Sequence, residues 1–203
     1  MVPFEQLILV DPREPLVAAW RDAFNGGVGV RFVCGRFEEL PTFDCMVSAA
    51  NSFGLMDGGV DLAISKFFGW ELMDRVQDHI LKEFAGEQPV GTSFLIATGN
   101  PKHPFLAHTP TMRVPMDIRG TDHVYLAMSA MIRAIVHFNR AHAQAPIRTV
   151  ACPGLGTATG KVPPDVAARQ MALAWAVACE PQPRINWEIA HNRQACVRGT
   201  WMD

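Results

Sequence analysis

The sequence predicts an α/β domain in which one sheet lies between two layers of helices. Short apolar runs of strand length alternate along the chain with longer stretches of helical period. Alternation of this kind packs helices on both faces of a sheet. Two Gly-rich loops each follow a strand-like run, which is where open α/β sheets bind ligands. At 203 residues the chain is sized for one domain, or one domain and a tail, since single domains commonly run ~100–200 residues.

Leu7-Ile8-Leu9-Val10 reads as a buried strand closed by Asp11-Pro12. Leu16 to Trp20 with Phe24 makes a short helix that ends before Asn25-Gly26-Gly27. Val30 to Cys34 is a second strand, and Gly35-Arg36-Phe37 turns out of it. After the break at Pro41 a third strand runs from about Asp44 to Ala50. From Asp61 to Phe84 a helical period dominates, with Leu72, Val76, Ile80 and Phe84 four apart. Gly69 is a point at which this stretch can split in two. Gly86 and Pro89 end it.

Thr92 to Thr98 and Phe105 to Thr109 read as strands joined through Gly99-Asn100-Pro101. Thr121-Asp122 offers an N-cap to a long helix whose face is Val124, Met128, Met131, Ile132, Ile135 and Phe138. Ile147 to Cys152 is a strand. Pro163-Pro164-Asp165 opens a last helix, since Pro fits a first turn, and that helix stops at Pro181. Residues 184–203 form a tail to which the sequence assigns no element, expected to pack on the same domain.

Composition excludes several classes. Half of the residues are apolar, so a core can form, and the net charge of −2 with dispersed Lys and Arg gives no footprint for nucleic acid. No apolar stretch reaches about 18 residues, so no membrane span is expected, and no secretory leader is visible. Five cysteines, an odd number without a Cys-x-x-Cys pair, point to a reducing, cytoplasmic compartment.

The informative stretch is Cys45-Met46-Val47-Ser48-Ala49-Ala50-Asn51 followed by Ser52 to Asp57 and then Gly58-Gly59-Val60-Asp61. A strand ends in a polar side chain, two glycines follow, and a helix begins. Glycine lets backbone approach a ligand closely, and the first N–H groups of a helix lack partners and favour an anion. About a hundred residues on comes a second loop, Pro153-Gly154-Leu155-Gly156-Thr157-Ala158-Thr159-Gly160. It is not a nucleotide P-loop. Counting back from Gly160-Lys161 puts Leu155 where the first glycine belongs, and Val162 follows the lysine. Its glycines and Thr157 can still supply donors to a diphosphate, or the loop can be a plain strand-to-helix turn.

Together the two motifs resemble the macro domain family, which binds ADP-ribose and usually carries Val-Asn-Ala-Ala-Asn, a short loop and Gly-Gly-Val. The resemblance spans residues 5–180. It implies a three-layer α/β/α sandwich with a central mixed sheet over residues 1–183. It also implies a site built from Ala50, Asn51, Gly58, Gly59, Val60, Asp61 and the eight residues from Pro153 to Gly160.

By itself Asn51 is equally a turn residue that bonds its own backbone; the resemblance implies a hydrogen bond to the distal ribose. Asp61 is by itself a helix-start carboxylate favoured by the macrodipole. Ten positions after Asn51, it is similar to the residue that positions or activates water in the hydrolytic branch of the family. The catalytic candidates are therefore Asp61 and Asn51, with ADP-ribose or an ADP-ribosylated small molecule or protein as the implied partner.

Three positions depart from the family, the mildest being Ala158, where the family often has Gly. Ser48 replaces the first Asn, a position that mainly supports the strand. Arg36 stands where an Asp usually receives the adenine amino group, and Arg has donors only. Either another residue receives the base, or the base preference is relaxed, or the ligand differs. A hydrolase, a non-catalytic reader and a structural, phage-associated macro domain with an altered ligand all remain open.

No metal or redox cofactor is expected. His137 and His142 are five apart, the wrong spacing for one helical face, and no cysteine joins them at zinc spacing. His103 and His108, flanking a strand, read as solvated or packed. Cys152 reads as a buried, inert thiol. Trp175, Trp187 and Trp201 read as packing residues, although a tail tryptophan could cover a ligand.

Overall fold

A computed structural model describes residues 2–180 and 184–200. Its strands are β1 (Gln6–Asp11), β2 (Val30–Cys34), β3 (Cys45–Asn51), β4 (Phe94–Ala97), β5 (Phe105–Met112) and β6 (Thr149–Cys152). The helices are α1 (Glu14–Phe24), α2 (Gly59–Phe68), α3 (Glu71–Phe84), α4 (His123–Ala141), α5 (Pro164–Cys179) and α6 (Trp187–Arg198). The strands form one sheet in the order β2-β1-β6-β3-β5-β4. β4 runs antiparallel to β5 and every other pairing is parallel, so the sheet is mixed as expected.

Alternation along the strands divides the core in two. Leu7, Leu9, Cys45, Val47, Val150 and Cys152 face α1, α4 and α5, where Leu16, Trp20, Met128, Ile132 and Met171 are buried. Ile8, Val10, Met46, Leu106 and Ala151 face α2 and α3, meeting Ile64, Leu72, Val76 and Ile80. This is the three-layer sandwich.

The differences from the sequence reading are local and have physical causes. The helical stretch after Asp61 does split at Gly69, whose φ of +97° interrupts the helical backbone. β5 continues to Met112 through Pro110, a residue that normally ends a strand. β4 pairs with β5 only as far as His108, so Pro110 lies where β5 has lost one neighbour, and proline is tolerated at an edge. β6 starts at Thr149, two residues later than expected.

Asp122 does occupy the cap of α4 but makes no side-chain cap bond. Gln170 of α5 does that work instead: its Oε1 accepts from the Tyr125 amide at 3.0 Å and its Nε2 donates to the Thr121 carbonyl at 2.9 Å.

Most of the described tail is a helix, α6, capped by the Asn186 side chain accepting from the Ile189 amide at 2.9 Å. Val197 is buried, and Arg198 donates to the Gly120 carbonyl. Trp175 packs as expected, edge-on to Phe4. Trp187 does not: it is 79% exposed, and among the described residues it stacks on His191 of its own helix. Pro181 and Trp201 lie outside the described residues. No described helix is long and apolar enough to cross a membrane.

Candidate functional site

Because β1, β6, β3 and β5 are parallel neighbours, with β2 parallel beyond β1, their carboxyl ends open on one edge of the sheet. The loops leaving them enclose a cleft of about 460 Å³. Residues from five segments line it: Val10 to Arg13, Gly35 to Glu38, Ala49 through the Asn51–Asp61 loop, Thr111 to Pro115, and the Pro153–Gly160 loop apart from Leu155 and Thr157.

The Asn51–Asp61 loop brings Ala50, Asn51, Gly58, Gly59, Val60 and Asp61 to the cleft wall. Helix α2 begins at Gly59 with no side chain capping it, and the amides of Gly59, Val60 and Asp61 find no acceptor among the described residues. They carry the positive end of the helix dipole to the cleft.

Asp61 is 5% exposed, and Ser48 Oγ donates to its Oδ1 at 2.7 Å. Burial pushes the Asp61 carboxyl up to about 7, while the Ser48 hydroxyl, by bonding the charged form, draws it down. Ser48 thus touches the acid directly, a role beyond strand support.

Asn51 closes its own loop. Its Oδ1 accepts from the amides of Phe53 at 3.0 Å and Leu55 at 3.3 Å, and its Nδ2 donates to the Leu55 carbonyl at 2.8 Å. One amide hydrogen remains without an acceptor among the described residues.

In the second loop Pro153, Gly154, Gly156, Ala158, Thr159 and Gly160 line the cleft. Leu155 turns its side chain into the core, fully buried. Thr157 turns its hydroxyl to Arg13. No backbone amide from Gly154 to Gly160 finds an acceptor among the described residues. Adjacent unpaired amides of this kind form an anion-binding concavity.

Sequence reasoning missed Asp11 and Arg13. Asp11, 6% exposed at the end of β1, takes Arg13 Nε on Oδ1 and Arg13 Nη2 on Oδ2, both at 2.8 Å. Arg13 Nη2 also donates to Thr157 Oγ1 at 2.6 Å, and Nη1 to the Thr157 carbonyl at 3.1 Å. The available signal was an acidic residue at the carboxyl end of a predicted strand. Arg36 lines the cleft rim, largely exposed, 3.7 Å from Glu38.

The remaining candidates lie elsewhere. His103 stacks on Phe43 at 4.0 Å, and His108 is fully buried with Nδ1 2.6 Å from Gln88 Oε1; desolvation drops it to about 3, so it stays neutral. Cys152 is fully buried and desolvation pushes its thiol up, away from the reactive thiolate. Among the described residues no group of three His, Cys, Asp or Glu is placed to hold a metal.

A family model described as Macro domain matches residues 47–171, more than half of the chain. An uncharacterized protein of Aquifex aeolicus (strain VF5) is 32% identical over 142 residues, covering 70% of this chain and 78% of that protein. Among solved structures, the macrodomain of Mycobacterium tuberculosis DarG superposes with a TM-score of 0.58 at 20% identity, covering 70% of this chain and 86% of that one. A Gly-to-Val mutant of the Oceanobacillus iheyensis macrodomain with ADPR gives 0.59 at 17% identity, covering 97% and 92%. At these identities the solved structures speak to the fold.

Proposed function

The chain belongs to the macro domain family, and on that premise we propose that its cleft binds ADP-ribose and hydrolyses an ADP-ribosyl bond there. The observation that carries this reading is Asp61: a buried carboxylate at the cleft wall, in the first turn of α2, titrating near neutrality. A general base works best when its pKa lies near the operating pH.

The unpaired amides of the second loop and of α2 receive the diphosphate. Asp61 takes a proton from a water that attacks the anomeric carbon of the distal ribose, and the modified carboxylate departs with the bonding electrons. Small acylated or phosphorylated ADP-ribose derivatives are substrates of the same class. Support comes from related proteins. The Oceanobacillus iheyensis macrodomain has been solved with ADP, and with an Asn, a Gly and an Asp substituted in separate variants. Asn51, Gly58 and Asp61 keep that order and those spacings.

One observation favours a second reading. Asn51 spends three hydrogen bonds on its own loop, leaving a single amide hydrogen for a ribose. A non-catalytic reader needs no more than that.

The test is release of ADP-ribose from a mono-ADP-ribosylated carboxylate. Wild-type turnover should rise with pH through about 7, and Asp61→Ala should lose at least ~100-fold, a typical general-base contribution, while still binding ADP-ribose. Binding without turnover in the wild type establishes the reader. Unchanged turnover in Asp61→Ala removes that residue from the mechanism.

A further inference from the structure

Residues 2–46 lie outside the family match, yet they build one wall of the cleft. The cleft they complete is acidic. Its charged lining residues are Asp11, Glu38, Asp57 and Asp61 against two cations, Arg13 and Arg36. The unpaired amides of the two loops draw a diphosphate in, and against these carboxylates a cation fixed where the phosphates come to rest adds to that attraction.

The two arginines are not equal in this respect. Arg36 is 67% exposed, and its nearest carboxylate, Glu38, is 3.7 Å away, too loose to hold one orientation. Arg13 is held in a fork by a nearly buried partner: Asp11 accepts from Arg13 Nε, Nη2 and the Arg13 backbone amide. Bidentate pairing of this sort fixes the guanidinium plane. The same plane is pinned on its other side by the Thr157 hydroxyl and carbonyl, so it sits against the Gly-rich loop.

The donor count matters. A guanidinium has five N–H groups. Asp11 takes two of them, Thr157 Oγ1 the second hydrogen of Nη2, and the Thr157 carbonyl one of Nη1. One Nη1 hydrogen is left, on a side chain 45% exposed that lines the cleft. Thr157 Oγ1 must accept from Arg13, because arginine only donates. Its own hydroxyl hydrogen is therefore directed away from Arg13.

We propose that Arg13, contributed by the β1–α1 segment outside the family match, is the cationic contact for the diphosphate of the ligand, with Asp11 and Thr157 holding it in place. This rests on the ADP-ribose reading only for the identity of the whole ligand. The anion contact stands on the Asp11–Arg13–Thr157 geometry.

The test is calorimetric titration of the full chain with ADP-ribose, ADP, adenosine and inorganic pyrophosphate. The variants are Arg13→Gln and the double variant Asp11→Asn with Arg13→Gln, which keeps a neutral pair and leaves no carboxylate buried alone. Thermal unfolding is recorded for each. In the double variant, ADP-ribose, ADP and pyrophosphate should bind about tenfold or more weakly, while adenosine is unaffected.

Equal weakening for adenosine would assign Arg13 to the base or ribose and overturn the proposal, as would unchanged affinity for the phosphate ligands in a folded variant. Loss of folding in the double variant would overturn it too, because Arg13 would then be a structural brace. A wild type that binds pyrophosphate in an Arg13-dependent way but ignores ADP-ribose would keep the anion contact and reject the ligand reading.

Discussion

A methyl group added at Gly58 meets no atom within 4 Å, whereas at Gly154 it would lie 2.4 Å from Leu16 Cδ2 and at Gly160 2.5 Å from the Gly156 carbonyl oxygen. Both loops line the same cleft. In the second loop the glycines are demanded by the fold: α1, Asp11 and the loop's own backbone leave no room for a side chain. At Gly58 the backbone is extended, at φ −140°, and nothing in the protein requires glycine. The space beside Gly58 is open and adjoins the cleft. Gly59 adds a φ of +56°, which disfavours other residues whatever the space.

The largest effect should come from the crowded loop. Gly160→Ala forces a methyl group onto backbone, which cannot rotate away as a side-chain tip can, and should destabilise the fold by about 3 kcal/mol. Urea unfolding measures it, and a loss under about 1 kcal/mol would mean the loop relaxes freely.

Next comes the acid on the open loop's helix. The folded pKa of Asp61 is raised above that of the unfolded chain, so its stabilising share is complete below pH ~4 and is lost as pH rises through about 7. Asp61→Asn removes that loss. It should be more stable than wild type by about 2 kcal/mol at pH 9 and close to wild type or less stable at pH 4. Equal stability curves across this range would show that Asp61 is not held in a desolvated place.

Smaller still is the effect at the open glycine. Gly58→Leu should leave stability within about 0.5 kcal/mol, as surface substitutions do, but weaken ADP-ribose binding about tenfold by filling ligand space. If stability falls and binding survives, the contrast between the loops is wrong. Ser48→Ala removes the hydrogen bond that favours the Asp61 carboxylate. The pH at which turnover is half-maximal should therefore rise by about one unit. A fall would place the Ser48 hydroxyl on the neutral acid instead.

What was legible in the sequence was whatever is encoded locally. The strand-then-Gly-Gly pattern located the Asn51–Asp61 loop, the four-residue spacing located α3, and the mixed sandwich followed from the family resemblance. What escaped depends on neighbours far away in sequence. Asp11 and Arg13 become site residues only because β1 pairs with β6 and so delivers its end to the Thr157 loop. Gln170 caps α4 from α5, and Pro110 stays in β5 because β4 is short. Leu155 sits in the middle of a ligand motif yet packs in the core, against residues distant in sequence.

The most direct test of the account is titration of the wild-type chain with ADP-ribose beside ADP and adenosine. One saturable site, tightest for ADP-ribose and weaker for each truncated ligand, is the predicted result. Absence of binding to all three would contradict it.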